Sequence, residues 1–105
     1  MENLEQIYPS PKIITVQHSP RKNKRLRVYL QDGEYFDFGL KDGSTYVDHQ
    51  SKAKRLAYWA RHTANPRERE LINNLTPSPA LYSAYILWGL YPSIQDNIDY
   101  LNSIS

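Results

Sequence analysis

Asp48, His49 and His62, with the hydroxyls of Ser44, Thr45 and Tyr46 close by, are the residues of this chain whose types could do chemistry. Imidazole and carboxylate are common metal ligands. His49 and His62, however, lie thirteen residues apart in a stretch that reads as one helix, a separation of roughly 20 Å along its axis. They cannot share one ion, and Asp48 is better placed as a helix cap. The hydroxyls before His49 are the ingredients of a nucleophile and its base. No glycine-framed elbow surrounds them, no glycine-rich phosphate cradle is present, and no paired carboxylates stand out. Ser44 and Thr45 therefore read as turn and cap residues. Cysteine is absent, which excludes a thiolate zinc site, a Cys nucleophile and a disulfide framework together. The expectation is a protein without catalytic residues, metal or cofactor.

Charge carries a stronger signal. Net charge is only +2, but six Lys/Arg and no acid fall between Lys12 and Gln31, while no Lys or Arg follows Arg69. Arg21, Lys22, Lys24 and Arg25 sit on or beside one predicted hairpin, and Lys54 and Arg61 join them from the helix that also carries Tyr58 and Trp59. These six cations are the candidates for contact with an anion or nucleic acid, cations meeting phosphates and aromatic rings stacking on bases. Asp48, His49, Arg55, Tyr58 and His62 are expected to act structurally, tying helix to turn by charge-assisted bonds, with His62 or Arg61 reaching toward Asp48 or Asp99.

The elements that must position these groups follow from periodicity. Residues 13–17, 25–31 and 34–39 are rich in β-branched and aromatic residues in alternation. Asp32-Gly33 signals a two-residue hairpin whose register puts Phe36 and Phe38 on the face of Leu26, Val28 and Leu30. A helix capped by Asp48 follows, with Ala53, Leu56, Ala57 and Ala60 as its apolar stripe. Asn65-Pro66 opens a second helix, the TPSP segment (76–79) a third, and Pro92 a last one with Ile94, Ile98 and Leu101 inward. The fold class is thus α+β: a small antiparallel three-stranded sheet followed by about four helices. Residues 1–10, ending in YPS before Pro11, read as a flexible arm, and residues 11–105 as a single domain. No apolar stretch approaches the roughly 18 residues that span a bilayer, and no secretory leader is recognisable, so the chain is expected not to be an integral membrane protein.

The third helix is apolar almost all the way round. One small sheet cannot cover all of it, so Tyr82, Tyr85, Ile86 and Trp88, with Tyr91 beyond, are expected to face another subunit, either a different protein or a second copy of this chain.

The order FG-x-K-x-GS-x-Y-x-DH, then K-R-x-x-Y-x-x-RH, SPAL-x-S-x-x-x-LWG and S-x-x-x-NI-x-x-L resembles a family of small proteins encoded by nucleocytoplasmic large DNA viruses. The matching positions run from Phe38 and Gly39 through Asp48, His49, Arg61 and His62 to Trp88, Asn97 and Leu101. The resemblance implies a non-enzymatic structural role: a minor capsid or virion-associated adaptor that binds capsid or other virion proteins. It implies a location in the virion, otherwise in the cytoplasm or nucleus of the infected cell. Nucleic-acid binding through the basic hairpin and the basic aromatic helix is the alternative.

Overall fold

The computed structural model describes residues 11–105, so the expected arm over residues 1–10 lies outside the described residues. The chain runs β1 (Ile13–His18), β2 (Lys24–Leu30), β3 (Tyr35–Leu40), α1 (Tyr46–His49), α2 (Lys52–Ala64), α3 (Pro66–Asn73), α4 (Pro79–Tyr82) and α5 (Ile94–Ile104). A π-helical turn over Ser83–Leu87 continues α4. The strands form an antiparallel sheet in the order β1-β2-β3. This is the α+β architecture expected, with one more helix because the stretch after the sheet divides in two.

Leu26 pairs with Phe38 and Val28 with Phe36, so alternation puts the expected apolar set on one face. The connection is longer than the two residues predicted. The Leu30 N–H donates to the Glu34 carbonyl at 2.9 Å, and the N–H of Gly33 donates to the Leu30 carbonyl. Gly33 alone in this turn adopts positive φ, +91°, as in a three-residue loop closed by a glycine bulge. On β1, Ile13 faces Leu30 and Thr15 faces Tyr29, leaving Ile14 as an extra, exposed residue. Such a bulge blunts an edge strand against further pairing.

The helix expected to start at Asp48 is broken. Thr45 caps α1, Gln50 turns the backbone left-handed at φ 57°, and Ser51 caps α2 by accepting from the Lys54 N–H. Asp48 lies inside α1 and is not a cap of α2. The buried face of α2 is also not the expected one. Ala53, Leu56, Ala57 and Ala60 face solvent, whereas Arg55, Tyr58, Trp59 and His62, also at helical spacing, turn inward. Short alanines offer little area to bury, and the aromatic rings offer far more.

The third predicted helix, α4 with its π turn, runs through the middle of the molecule. Leu81, Tyr82, Ile86 and Leu87 pack on the inner sheet face beside Ile98 and Leu101 of α5. On the other side Ala84 meets Tyr58 of α2 and Ile72 of α3. Cover on both sides explains an all-round apolar helix within one chain. It also corrects the interface expectation for two residues: Tyr82 is 1% and Ile86 0% exposed, so neither can anchor a neighbour. Among the described residues no helix is long and apolar enough to cross a membrane.

Candidate anion-binding cavity

A cavity of about 460 Å³ opens between the turn after β3, the inner face of α2 and the start of α4, within the size range of small-ligand sites. Its position follows from α1. Both guanidinium nitrogens of Arg25 on β2 donate to the Asp48 carboxylate, at 2.7 and 2.8 Å. The N–H and hydroxyl of Thr45 donate to the same carboxylate at 2.8 and 2.9 Å. The bidentate guanidinium, with these smaller contributions, holds the Asp48 carboxyl well below the usual carboxylate range. One carboxylate therefore pins the turn and α1 to the sheet.

The cavity wall is a column of three rings. Trp88 stacks on Tyr58 with centroids 4.4 Å apart and planes within 5°, and Tyr58 lies against His62 at 4.1 Å. The Tyr58 hydroxyl donates to Ser83 Oγ at 3.1 Å, and burial pushes its pKa up. His62 Nδ1 pairs with Glu68 Oε1 of α3 at 2.6 Å. Arg55 locks the far end of the column: its Nε donates to the carbonyl of Gly89 at 2.7 Å and to that of Trp88 at 3.1 Å. The indole N–H of Trp59 donates to the Trp88 carbonyl at 2.8 Å.

Two cations line this apolar and aromatic cavity, Lys24 from the start of β2 and Arg61 from α2. Neither has an ion-pair partner among the described residues. The acid in the cavity, Glu68, is already engaged by His62. The site can hold a negative group against Lys24 and Arg61 with an apolar portion beside Leu87 and the rings.

Of the six cations expected to contact an anion, the structure brings only Lys24 and Arg61 together. Arg25 is spent on Asp48. Arg21 and Lys22 are exposed on the β1–β2 turn, and Lys54 is exposed on α2. The structural set is dispersed differently from expectation. His62 reaches Glu68 and neither Asp48 nor Asp99. His49 accepts from the Ser51 N–H through Nδ1 at 2.9 Å and packs edge-on against Trp88. Tyr85 is half-buried against Trp59, Trp88 is half-buried, and Tyr91 is 43% exposed. Glu68 escaped sequence analysis, and Ser83 entered it only as a motif position. Their signals were faint: an acid in the first turn of a helix opened by Asn65-Pro66, and a hydroxyl inside an otherwise apolar run.

Residues 14–62 match the model of a family described as a family of unknown function (DUF5754), a span that includes Lys24, Arg61 and His62 but not the α4 wall. No curated protein and no solved structure matches the chain, so its likeness to known proteins is to this family model over residues 14–62.

Proposed function

We propose that the protein is a small non-enzymatic adaptor that holds an acidic, partly apolar segment of a partner protein in the cavity beside the Trp88, Tyr58 and His62 column. The observation that carries this proposal is the pair of cations, Lys24 and Arg61, that line one cavity without an ion-pair partner among the described residues, while the acid there, Glu68, is taken by His62. Charge selects the partner and apolar contact supplies affinity, the usual division in protein recognition. The polar groups nearby support binding over turnover. The Tyr58 hydroxyl is engaged by Ser83, and the imidazole of His62 meets Tyr58 through its ring face while Glu68 occupies Nδ1.

Following the viral resemblance, the proposed partner is a capsid or other virion protein and the proposed location is the virion. Carbodiimide joins amines to carboxylates in direct contact. Applied to purified particles, it should link Lys24 to an Asp or Glu of another virion protein. A folded Lys24→Gln, Arg61→Gln double variant should lose that partner. Absence of the chain from particles sinks the virion assignment, and cross-links confined to copies of this chain sink the hetero-partner.

Nucleic-acid binding is the second reading, favoured by the exposure of Arg21, Lys22, Lys54 and Arg61. It requires duplex or single-strand affinity that falls steeply with salt, by a slope near one ion per phosphate contacted. Tyr58 is 8% exposed, so the stacking part of that reading has lost a ring.

A further inference from the structure

The end of the sheet at the rim of the cavity carries a group of exposed cations that the adaptor reading does not use. Beside them Leu40, the last residue of β3, is 72% exposed, the most exposed large hydrophobic residue among the described residues. It shares a surface depression with Lys22, Asn23, Lys41, Asp42 and Gly43. Backbone bonds tie the turns at this end together. The Lys41 N–H donates to the Asn23 carbonyl at 3.3 Å, joining the β3–α1 turn to the β1–β2 turn. Within the turns, Lys24 N–H donates to Arg21 and Gly43 N–H to Leu40. Arg21, Lys22 and Lys41 are exposed and have no ion-pair partner among the described residues. Asp42 is the one acid at the tip, since Asp48 is held by Arg25 and Asp37 by Arg27.

We propose that this tip is a peripheral docking surface for an anionic lipid bilayer, with Leu40 entering the headgroup layer and Arg21, Lys22 and Lys41 lying against lipid phosphates. An exposed aliphatic side chain beside several cations matches the two forces that hold proteins at such surfaces, apolar burial and attraction to anionic headgroups. Duplex or single-stranded nucleic acid would use the cations but give Leu40 nothing to enter, and the tip presents no aromatic ring for stacking. The sheet's own charge axis gives the direction of approach. Asp32 and Glu34 sit on the β2–β3 turn at the opposite end of β2, so an anionic surface attracts one end and repels the other. Leu40 and Gly43 also line the cavity, but Arg21, Lys22 and Lys41 do not, so loss of vesicle binding by Lys22→Gln with Lys41→Gln reads the tip apart from the adaptor site.

Vesicle co-sedimentation of the full chain tests it, with vesicles of phosphatidylcholine alone and of phosphatidylcholine mixed with phosphatidylserine. Binding is expected only to the mixed vesicles, and to weaken with added salt. Lys22→Gln with Lys41→Gln should weaken it about 25-fold, at about 1 kcal/mol for each cation near the surface. Leu40→Gln should weaken it about tenfold, the lower end of the range for losing burial of a leucine side chain. All three positions are exposed, so these variants should melt with the wild type. Equal binding to both vesicle types, no binding to either, or undiminished binding by Leu40→Gln overturns the proposal. Tighter binding to duplex DNA than to mixed vesicles, at equal phosphate and salt, overturns it in favour of nucleic acid.

Discussion

Asp48 and Tyr82 show how unequal single polar groups can be in one small molecule. Asp48 accepts from Arg25 and Thr45, and its carboxyl titrates below the ordinary carboxylate range in the folded chain. A folded pKa below the unfolded one adds stability above the unfolded value, near 3.9, and that contribution disappears as pH falls through the folded value. Asp48→Asn is therefore expected to cost about 1 kcal/mol at pH 7, a modest figure because the carboxylate is partly exposed to screening solvent. The same substitution should cost nearly nothing at the acid end of the transition. Urea melts at both pH values check the difference. Asp37, held by Arg27 and Ser19 and also lowered, keeps its own share of the acid dependence in that variant. Tyr82 is the reverse case. Its hydroxyl is buried without a hydrogen-bond partner among the described residues, and burial raises its pKa. Tyr82→Phe removes an unpaired polar atom and keeps the ring between Phe36 and Phe38. Its melting temperature should equal or exceed that of the wild type, because an unpaired buried group is a cost.

At the scale of elements, the π turn depends on two residues beyond it. Asn97 of α5 is fully buried; its amide donates to the carbonyls of Ile86 and Tyr91 at 2.8 Å each and accepts from the Tyr91 N–H at 2.9 Å. The Ile86 carbonyl is one that a helix end leaves open, and the Tyr91 groups belong to the loop before α5. Gly89 is where the chain leaves this helix: a Cβ there would lie 2.1 Å from the Tyr85 carbonyl and 2.7 Å from the Asn97 side chain. Asn97→Ala is expected to cost about 3 kcal/mol through buried groups left unpaired, and Gly89→Ala should be at least as damaging; thermal melts measure both. Gly89 and Asn97 were legible only as motif positions, because the bonds of Asn97 to Ile86 and Tyr91 form only once α5 folds back on the π turn. The same limit runs through the rest of the fold. Strands and the starts of α3, α4 and α5 were legible because alternation and Pro are local signals. The hairpin register was not: a two-residue turn at Asp32-Gly33 would set Val28 opposite Asp37, whereas the longer loop pairs Val28 with Phe36. The inward face of α2 was not, since it is decided by the Trp88 ring supplied from the end of the π turn. Lys24 and Arg61 were visible as cations, but their meeting depends on Arg25 and Asp48 folding α1 against the sheet.

At the scale of the whole molecule, two apolar clusters share one central helix. The larger joins the sheet to α5 through Leu81, Tyr82, Ile86 and Leu87; the smaller joins α2 to α3 through Tyr58, Ile72 and Ala84. Trp88 packs against both clusters, stacked on Tyr58, edged by His49, and bonded through its carbonyl to Arg55 and Trp59. Half of its role is therefore internal, whatever its remaining exposed edge touches. Trp88→Ala leaves the backbone carbonyl in place but removes the ring that fixes α2, at a cost of about 3–5 kcal/mol for a large aromatic truncation. The loss should fall unevenly, because stability in small proteins is distributed among units that open separately. Amide hydrogen exchange is expected to accelerate most in α2 and α3, with the sheet and α5 retaining more of their protection. Anion binding at Lys24 and Arg61 should vanish with the displaced wall, while a tip bounded by Leu40, Lys22 and Lys41 keeps its shape. Uniform loss of protection across all elements would show instead that the two clusters form one cooperative unit, and that the cavity cannot be opened without unfolding the sheet that supports it.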